Sequence, residues 1–318
     1  MTTSTVIAIG EAMIELRSAA DDLHATKRVP TPDPEQGALN WTFAGDTLNS
    51  SVALASAAPD ADVHFLTGIG DDRQSRDLVE MCARLGVDAS SSIVVPMRHL
   101  GIYWIEAHGQ ERRFQYWRNE SAAKTALGAG INIPVLGRGD AVVLSGITLA
   151  VAGGNGELIA EVDRAGTAGA TIGFDVNHRS ALWSDRENAR TAYEQQFSIS
   201  KIVVASVDDV AEVWGVTADE FCDHVGRFRS IEEVVVTDGP AGVVSRADGN
   251  TVRHQASAVV PVDTTGAGDA FFGTYVGQRI TGASVEAAIG RAMEHAAHVV
   301  AFHGGLGHRV RVHRPPPP

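Results

Sequence analysis

The segment Asp263-Thr264-Thr265-Gly266-Ala267-Gly268-Asp269, followed by the apolar Ala270-Phe271-Phe272, carries the most chemistry in this chain. A β-rich run at 257–262 leads into it and a helical pattern leads out. Small residues therefore stand where a strand is expected to turn into a helix N-terminus. Such a terminus aims unpaired amides and the positive end of the helix dipole at one spot. Glycines let an anion approach the backbone closely. A carboxylate inside a simple phosphate cradle would repel its ligand. Asp269 makes sense instead as a base beside an acceptor hydroxyl, with the backbone of Gly266, Ala267 and Gly268 holding charge on a transferring phosphoryl group. The dipole should favour the ionised aspartate. A weak base suffices where the transfer is loose and the proton leaves late. A lone GxGD would read as a glycine-rich helix cap. The longer string in this context reads as catalytic.

Positioning such a turn needs a scaffold, and the pattern supplies one. Residues 5–10 read as a buried strand, 46–58 as a helix, 63–66 as a short strand and 73–85 as a helix closed by Gly86. Two alternating runs, 100–106 and 112–118, are joined by Ala107-His108-Gly109-Gln110-Glu111 and predict a hairpin. From Asp140 strands (141–145, 171–175, 201–205) alternate with helices (155–168, 187–198, 208–214). A strand at 234–237, a hairpin through Asp248-Gly249-Asn250 and helices near 267–280 and 284–302 follow. That alternation implies a parallel sheet covered on both faces. The hairpin at 100–118 breaks the alternation and fits a small β lid over the cleft. The expected organisation is one domain over 1–310, with lid strands inserted from about 11–45 and 97–120. The Pro-rich end, 311–318, should be a loose tail.

Composition removes other classes. The chain has 318 residues and a net charge of −13, from 39 acids against 26 bases. That argues against nucleic acid as a partner. Lys27, Lys124 and Lys201 are the only lysines, so an anionic substrate must be held by arginines, helix N-termini, amides or a metal. Cys82 and Cys222 give no disulfide framework and no zinc site. The longest apolar stretch, 141–153, is too short for a membrane span, and the N-terminus lacks the basic region of a signal peptide. The expectation is a cytoplasmic protein. There is no Gly-Lys pair and hence no Walker A loop, no protein-kinase motif set, and only part of a dinucleotide fingerprint at Gly68-Ile69-Gly70.

The string 263–269 resembles the C-terminal signature of the PfkB (ribokinase-like) family of carbohydrate kinases. Gly10-Glu11-Ala12-Met13-Ile14-Glu15-Leu16 resembles the family's opening strand, Ala44-Gly45-Asp46-Thr47-Leu48-Asn49 its sugar-binding motif, and Thr237-Asp238-Gly239-Pro240-Ala241-Gly242 its nucleotide loop. The resemblance runs from about 5 to 305. It implies a ribokinase-like three-layer α/β/α fold with a mostly parallel central sheet and a small β-sheet lid. It implies ATP bound by Thr237, Gly239, Gly242, Ala267 and Gly268, with His295 lining the adenine pocket. It implies Mg2+ travelling with ATP and leaves room for a monovalent cation. The family's metal-associated Asn-x-x-Glu stands here as Ser206-Val207-Asp208-Asp209, so Asp209 takes the glutamate's place, through water, and Ser206 is a departure. Ala44, where the family usually has glycine, is another.

Within the family, residues 111–123 (Glu-Arg-Arg-Phe-Gln-Tyr-Trp-Arg-Asn-Glu-Ser-Ala-Ala), with Gly101–Glu106, Leu144–Ala150 and Phe174–Trp183, resemble kinases of 2-keto-3-deoxygluconate. That implies transfer to a primary 6-hydroxyl. Gly45, Asp46 and Asn49 would contact the sugar, and Tyr103, Tyr116, Arg118 and Arg179 would frame its acid end. The residue chemistry agrees, since a guanidinium grips a carboxylate bidentately. Tyr116 and Arg118 share a strand face, and Arg179 lies at the carboxyl end of a predicted strand, where open α/β sheets bind ligands. Alternatives are a kinase of 2-keto-3-deoxygalactonate or fructose, or a catalytically dead sugar-acid sensor. The expected partners are a small sugar acid and ATP, without nucleic acid or membrane. Lid burial in the family implies a homodimer or higher oligomer.

Overall fold

The computed structural model describes residues 3–18, 28–29, 39–108, 111–154 and 156–306. The tail expected at 311–318 and the Gly109-Gln110 tip of the predicted hairpin lie outside them. A nine-stranded sheet forms the centre, in the order Asn250–His254, Val243–Ala247, Glu233–Thr237, Ile202–Ser206, Thr171–Asp175, Ala141–Ser145, Thr5–Ile9, Asp62–Leu66, Val87–Asp88. Neighbours pair parallel except at one edge, where Val243–Ala247 and Asn250–His254 run antiparallel. The inner strands read AVVLS, IVVAS and EVVVT because both faces are buried.

The period of two sorts those faces. Ile7, Ile9, Val142 and Leu144 pack with Leu158, Val162, Tyr193 and Phe197 of the helices Gly156–Thr167 and Arg186–Phe197. Val6, Ala8 and Val143 pack with Leu48, Val52, Phe272 and Tyr275 of Asp46–Ala57 and Ala267–Ile280, beside Val285–Val299. The result is three layers, helix on sheet on helix. Among the described residues no helix is long and apolar enough to cross a membrane.

A second sheet of five strands, in the order Glu111–Trp117, Gly101–His108, Met13–Ser18, Leu39–Ala44, Arg28–Val29, stands over the carboxyl edge of the first. Its pairs are antiparallel except Met13–Ser18 with Gly101–His108.

Two local features differ from expectation. The 257–262 run is not a strand and pairs with neither sheet. Its end is anchored to a helix instead, with the Val262 and Asp263 amides donating to Val300 O at 2.7 and 3.2 Å. Three short helices, Ala122–Ala129, Gly146–Val151 and Ala218–Val225, escape the periodic reading because none is longer than eight residues; Ser121, Ser145 and Thr217 cap them.

One contact sets the geometry of the cleft. A Cβ at Gly273 would lie 2.0 Å from Ser50 O, so only glycine lets the Ala267–Ile280 and Asp46–Ala57 helices approach this closely. That approach brings Asn49 against Asp269.

Candidate active site

The carboxyl ends of Thr171–Asp175, Ile202–Ser206 and Glu233–Thr237 open into a cleft of about 880 Å³. This is the edge at which parallel sheets bind ligands. The Gly45 and Gly266 helix starts close its floor, and Tyr103, Phe114, Tyr116 and Arg118 reach down from the lid. A second cleft of about 850 Å³ runs between Thr237, Gly239 and Gly242 on one side and Met293, Ala296 and Ala297 on the other. The two clefts share Thr237, Thr264 and Gly268. They therefore meet at the glycine-rich turn.

Gly266 caps the Ala267–Ile280 helix at φ 77°, a left-handed backbone. A Cβ there would strike Gly305 Cα at 2.4 Å. The Ala267 amide bonds Thr264 O and the Ala270 amide bonds Gly266 O. Those two bonds leave the Gly268 and Asp269 amides as the first-turn donors outside the helical ladder.

Asp269 sits one turn into this helix. Its Oδ2 accepts from Asn49 Nδ2 at 2.8 Å, and its Oδ1 lies 3.5 Å from Asn177 Nδ2. The same Asn177 nitrogen is 3.4 Å from Asp46 Oδ2, which Ser145 Oγ also contacts. Desolvation first, and the Asp46 charge second, push the Asp269 carboxyl up to about 7; Asn49 and Arg179 oppose them. The helix dipole favours the ionised form, and burial together with the Asp46 charge works against it. A dipole contributes at most about 2 kcal/mol at a buried site. Lifting a carboxylate from 3.8 to about 7 takes about 4 kcal/mol. A base poised near neutrality is matched to proton transfer at physiological pH.

Asp175, 8% exposed, is raised well above the carboxylate range by burial and then by Asp209, Asp269 and Asp46. It is a buried acid on the cleft wall. Asp209 is held by backbone amides. Its Oδ1 accepts from His178 N at 2.9 Å and its Oδ2 from Ser206 N at 3.1 Å, while Ser206 caps the Val207–Val213 helix in return. The departure at Ser206 is thus a helix cap.

At the acid end, Arg118 pairs with the buried Glu11 and lies 5.9 Å over the Tyr116 ring. Burial raises the Glu11 carboxyl, while Arg118 and Ser121 pull it back. Tyr103 donates its hydroxyl to Glu15 and packs 5.7 Å from Tyr116. Arg179 is exposed on the opposite wall; Nη1 donates to His178 O at 2.7 Å, and it has no acidic partner within ion-pair distance among the described residues.

Gly45, Asp46, Asn49, Tyr103, Tyr116, Arg118, Arg179, Asp209, Gly266, Gly268 and Asp269 all line the first cleft. Thr237, Gly239, Gly242, Ala267 and Gly268 line the second. His295 does not. It bonds Thr274 Oγ1 at 2.6 Å across a helix pair, and Met293, Ala296 and Ala297 face the cleft instead. Sequence reasoning missed Glu11, Asp175, Asn177 and the Gly304-Gly305 segment that backs the turn. The one local signal was Asn177, a type that tolerates the φ of 33° it adopts.

A family model described as pfkB family carbohydrate kinase matches residues 3–307. The chain is 31% identical over 315 residues to an Escherichia coli protein named 2-dehydro-3-deoxygluconokinase, covering 95% of this chain and 96% of that one. It is 29% identical over 310 residues to a Haloferax volcanii protein named 2-dehydro-3-deoxygalactonokinase, covering 96% and 93%. The crystal structure of a Vibrio cholerae fructokinase in fructose-, ADP- and calcium-bound form matches with a TM-score of 0.79 at 22% identity, covering 96% and 95%. That last likeness is one of fold, which is ribokinase-like.

Proposed function

This chain belongs to the pfkB family of carbohydrate kinases, and we propose that within it the protein transfers the γ-phosphate of ATP to the 6-hydroxyl of 2-keto-3-deoxygluconate, giving 2-keto-3-deoxy-6-phosphogluconate. It is an ATP-dependent sugar kinase. The observation that carries the finer reading is the meeting of the two clefts at Thr264 and Gly268, with Asp269 on the lid side and no acid in the turn on the other.

In this reading the sugar acid lies in the lid cleft and ATP in the second. Arg179 supplies the unspent positive charge for the sugar carboxylate. Arg118, already fixed by Glu11, contributes oriented N–H groups more than net charge. Gly45, Asp46 and Asn49 hold the hydroxyl end. The 6-hydroxyl gives its proton to Asp269 as its oxygen bonds phosphorus, and the bond to the β–γ bridging oxygen breaks to release ADP. The Gly268 and Asp269 amides, with the helix dipole, stabilise charge on the passing phosphoryl group.

Mg2+ fits this site only as an ion carried by ATP. Among the described residues no group of three or more His, Cys, Asp or Glu could cage a metal, and both Asp209 oxygens already accept amides. Asp209 would hold the ion through water, and the ion would neutralise phosphate charge. We assign no site to a monovalent cation. We place the protein in the cytoplasm, where ATP is available, and expect a homodimer or higher oligomer, since Trp117 stands 54% exposed on the lid strand.

ADP release measured with 2-keto-3-deoxygluconate, its galactonate epimer, fructose and ribose tests the reading. The sugar acid should exceed fructose by about 100-fold in kcat/KM, the worth of a charge-assisted contact. A preferred neutral sugar overturns the substrate. Preference for the epimer, the second reading that the Haloferax relative favours, moves it by one hydroxyl. Binding without turnover would make the protein a sensor.

A further inference from the structure

A buried chain of charges joins the lid to the phosphate turn, and we propose that Arg17, at its centre, is a positioning residue that locks the turn to the lid for phosphoryl transfer. The proposal rests on the kinase reading above and adds a residue that the signature motifs do not contain.

Arg17 is 9% exposed on the lid strand Met13–Ser18. Its Nε meets Glu15 Oε1, and its Nη1 donates to Asp263 Oδ2 at 2.8 Å. Glu15, 1% exposed, also receives the Tyr103 hydroxyl, and Tyr103 stands opposite it in the neighbouring lid strand. Asp263, 2% exposed, opens the turn. Its Oδ1 accepts from Thr265 N at 3.0 Å and Thr265 Oγ1 at 2.7 Å, and its Oδ2 also accepts from Gly304 N at 3.1 Å. His303 Nδ1 lies 4.0 Å from the same oxygen. The Gly304 bond sets the segment whose next residue, Gly305, backs Gly266. An unbroken path therefore runs from a cleft-lining lid tyrosine, through Glu15, Arg17 and Asp263, to the backbone that presents the phosphate amides.

Charge makes Arg17 the critical link. Burial alone would raise the Asp263 carboxyl; the Thr265 amide, Arg17 and Gly304 outweigh it and hold it far below the usual carboxylate range. Two buried carboxylates thus share one buried guanidinium. Because that guanidinium belongs to the lid strand, the Asp263 contact ties the lid directly to the turn. A planar fork can reach both acids at once, and an ammonium on a shorter reach cannot do so in the same geometry. Misplacing a transfer site by about 1 Å costs about 100-fold in rate. Loss of the link should therefore appear in kcat.

The test uses Arg17→Lys, which keeps a buried cation, and Arg17→Met, with Arg17→Met/Glu15→Gln in reserve if the single Met variant does not fold. In the first arm, ATP alone is added and backbone hydrogen exchange is read in the lid peptides covering 13–18 and 101–108. This arm needs no sugar turnover, so it stands even if the substrate assignment fails. In wild type, ATP at the turn should slow lid exchange; in the variants it should not. In the second arm, wild-type turnover of the sugar acid is established first, which separates failure of the kinase reading. The variants should then lose about 10- to 100-fold in kcat, with KM for the sugar acid within about threefold. Guanidinium at about 10 mM should restore part of the Arg17→Met rate, whereas sodium at equal ionic strength should not. Lid protection by ATP that persists in the variants, or an unchanged kcat, overturns the proposal. So does a loss that guanidinium leaves untouched while thermal stability falls in step, since that marks a merely structural pair.

Discussion

Asp46→Asn should lower the pH at which the enzyme loses its base. Asp46 and Asp269 both approach Asn177 Nδ2, at 3.4 and 3.5 Å, so their oxygens stand within about 7 Å of each other. At an effective dielectric of about 20, two like charges at that separation repel by about 2 kcal/mol, worth one to two pK units. Asp46 is the largest charge effect raising Asp269 to about 7. Removing a neighbouring negative charge favours the ionised form, so the group should fall to about 5–6. Asparagine keeps an acceptor for Ser145 and nearly the same volume, which confines the change to charge. The assay is kcat at saturating ATP and sugar acid from pH 5.5 to 8.5, normalised for each enzyme, so that any loss of absolute rate drops out. Titration of ATP is common to both enzymes and cancels. A base near 7 makes wild-type kcat at pH 6 about one-tenth of its value at pH 8; in the variant the ratio should exceed about one-half. An acid limb that stays near 7, or moves up, would refute the electrostatic account of Asp269.

Other substitutions probe the same site. Asp269→Asn should cost about 10²- to 10⁴-fold in kcat while both ligands still bind. It should also reveal a stability trade. A carboxyl raised from 3.8 to about 7 favours the fold while protonated, and that contribution is lost as pH rises through about 7. The Tm advantage of the variant over wild type should therefore grow between pH 5.5 and 8.5; a shrinking advantage contradicts the assignment. Arg118→Ala leaves Glu11 buried without its partner, which should cost about 3–5 kcal/mol of stability and raise KM for the acid more than for fructose. Adding Glu11→Gln should recover the Tm but not the KM, and recovery of both would remove Arg118 from substrate binding. Gly266→Ala meets both a left-handed backbone and the Gly305 chain, so it should lose about 1–2 kcal/mol from backbone strain alone and most of its activity. At Gly268 an added Cβ meets no protein atom within 4 Å. Gly268→Ala should therefore keep its Tm and raise KM for ATP, and a Tm as low as that of Gly266→Ala would contradict the role given to the open face.

The scaffold was legible because buried parallel strands write themselves as apolar runs, as in AVVLS and IVVAS, between helices of ordinary length. Asp269 was legible because its turn concentrates glycines beside a carboxylate at a helix start. Glu11, Asp175 and Asn177 were not, because their roles come from partners far along the chain: Glu11 acts through Ser121 and Arg118, and Asn177 through Asp46 and Asp269. Local pattern carries no sign of such pairings. The 257–262 run shows the opposite failure. Its β-branched residues suit a strand, but a strand needs a ladder partner, and the end of this run bonds a helix end at Val300 instead. His295 failed on helix phase, since its neighbours Met293 and Ala296 turn to the cleft while it turns to Thr274. The helix dipole that favours an ionised Asp269 is visible in sequence, whereas the burial and the neighbouring carboxylate that oppose it are not.

Phosphorus and carbon NMR of the product made from ATP and 2-keto-3-deoxygluconate tests the central claim most directly. If the lid cleft presents the 6-hydroxyl to Asp269 at the shared turn, the product is a single phosphomonoester coupled to carbon 6, formed in equal amount with ADP. A phosphate on another hydroxyl, or inorganic phosphate with the sugar acid unchanged, would contradict it.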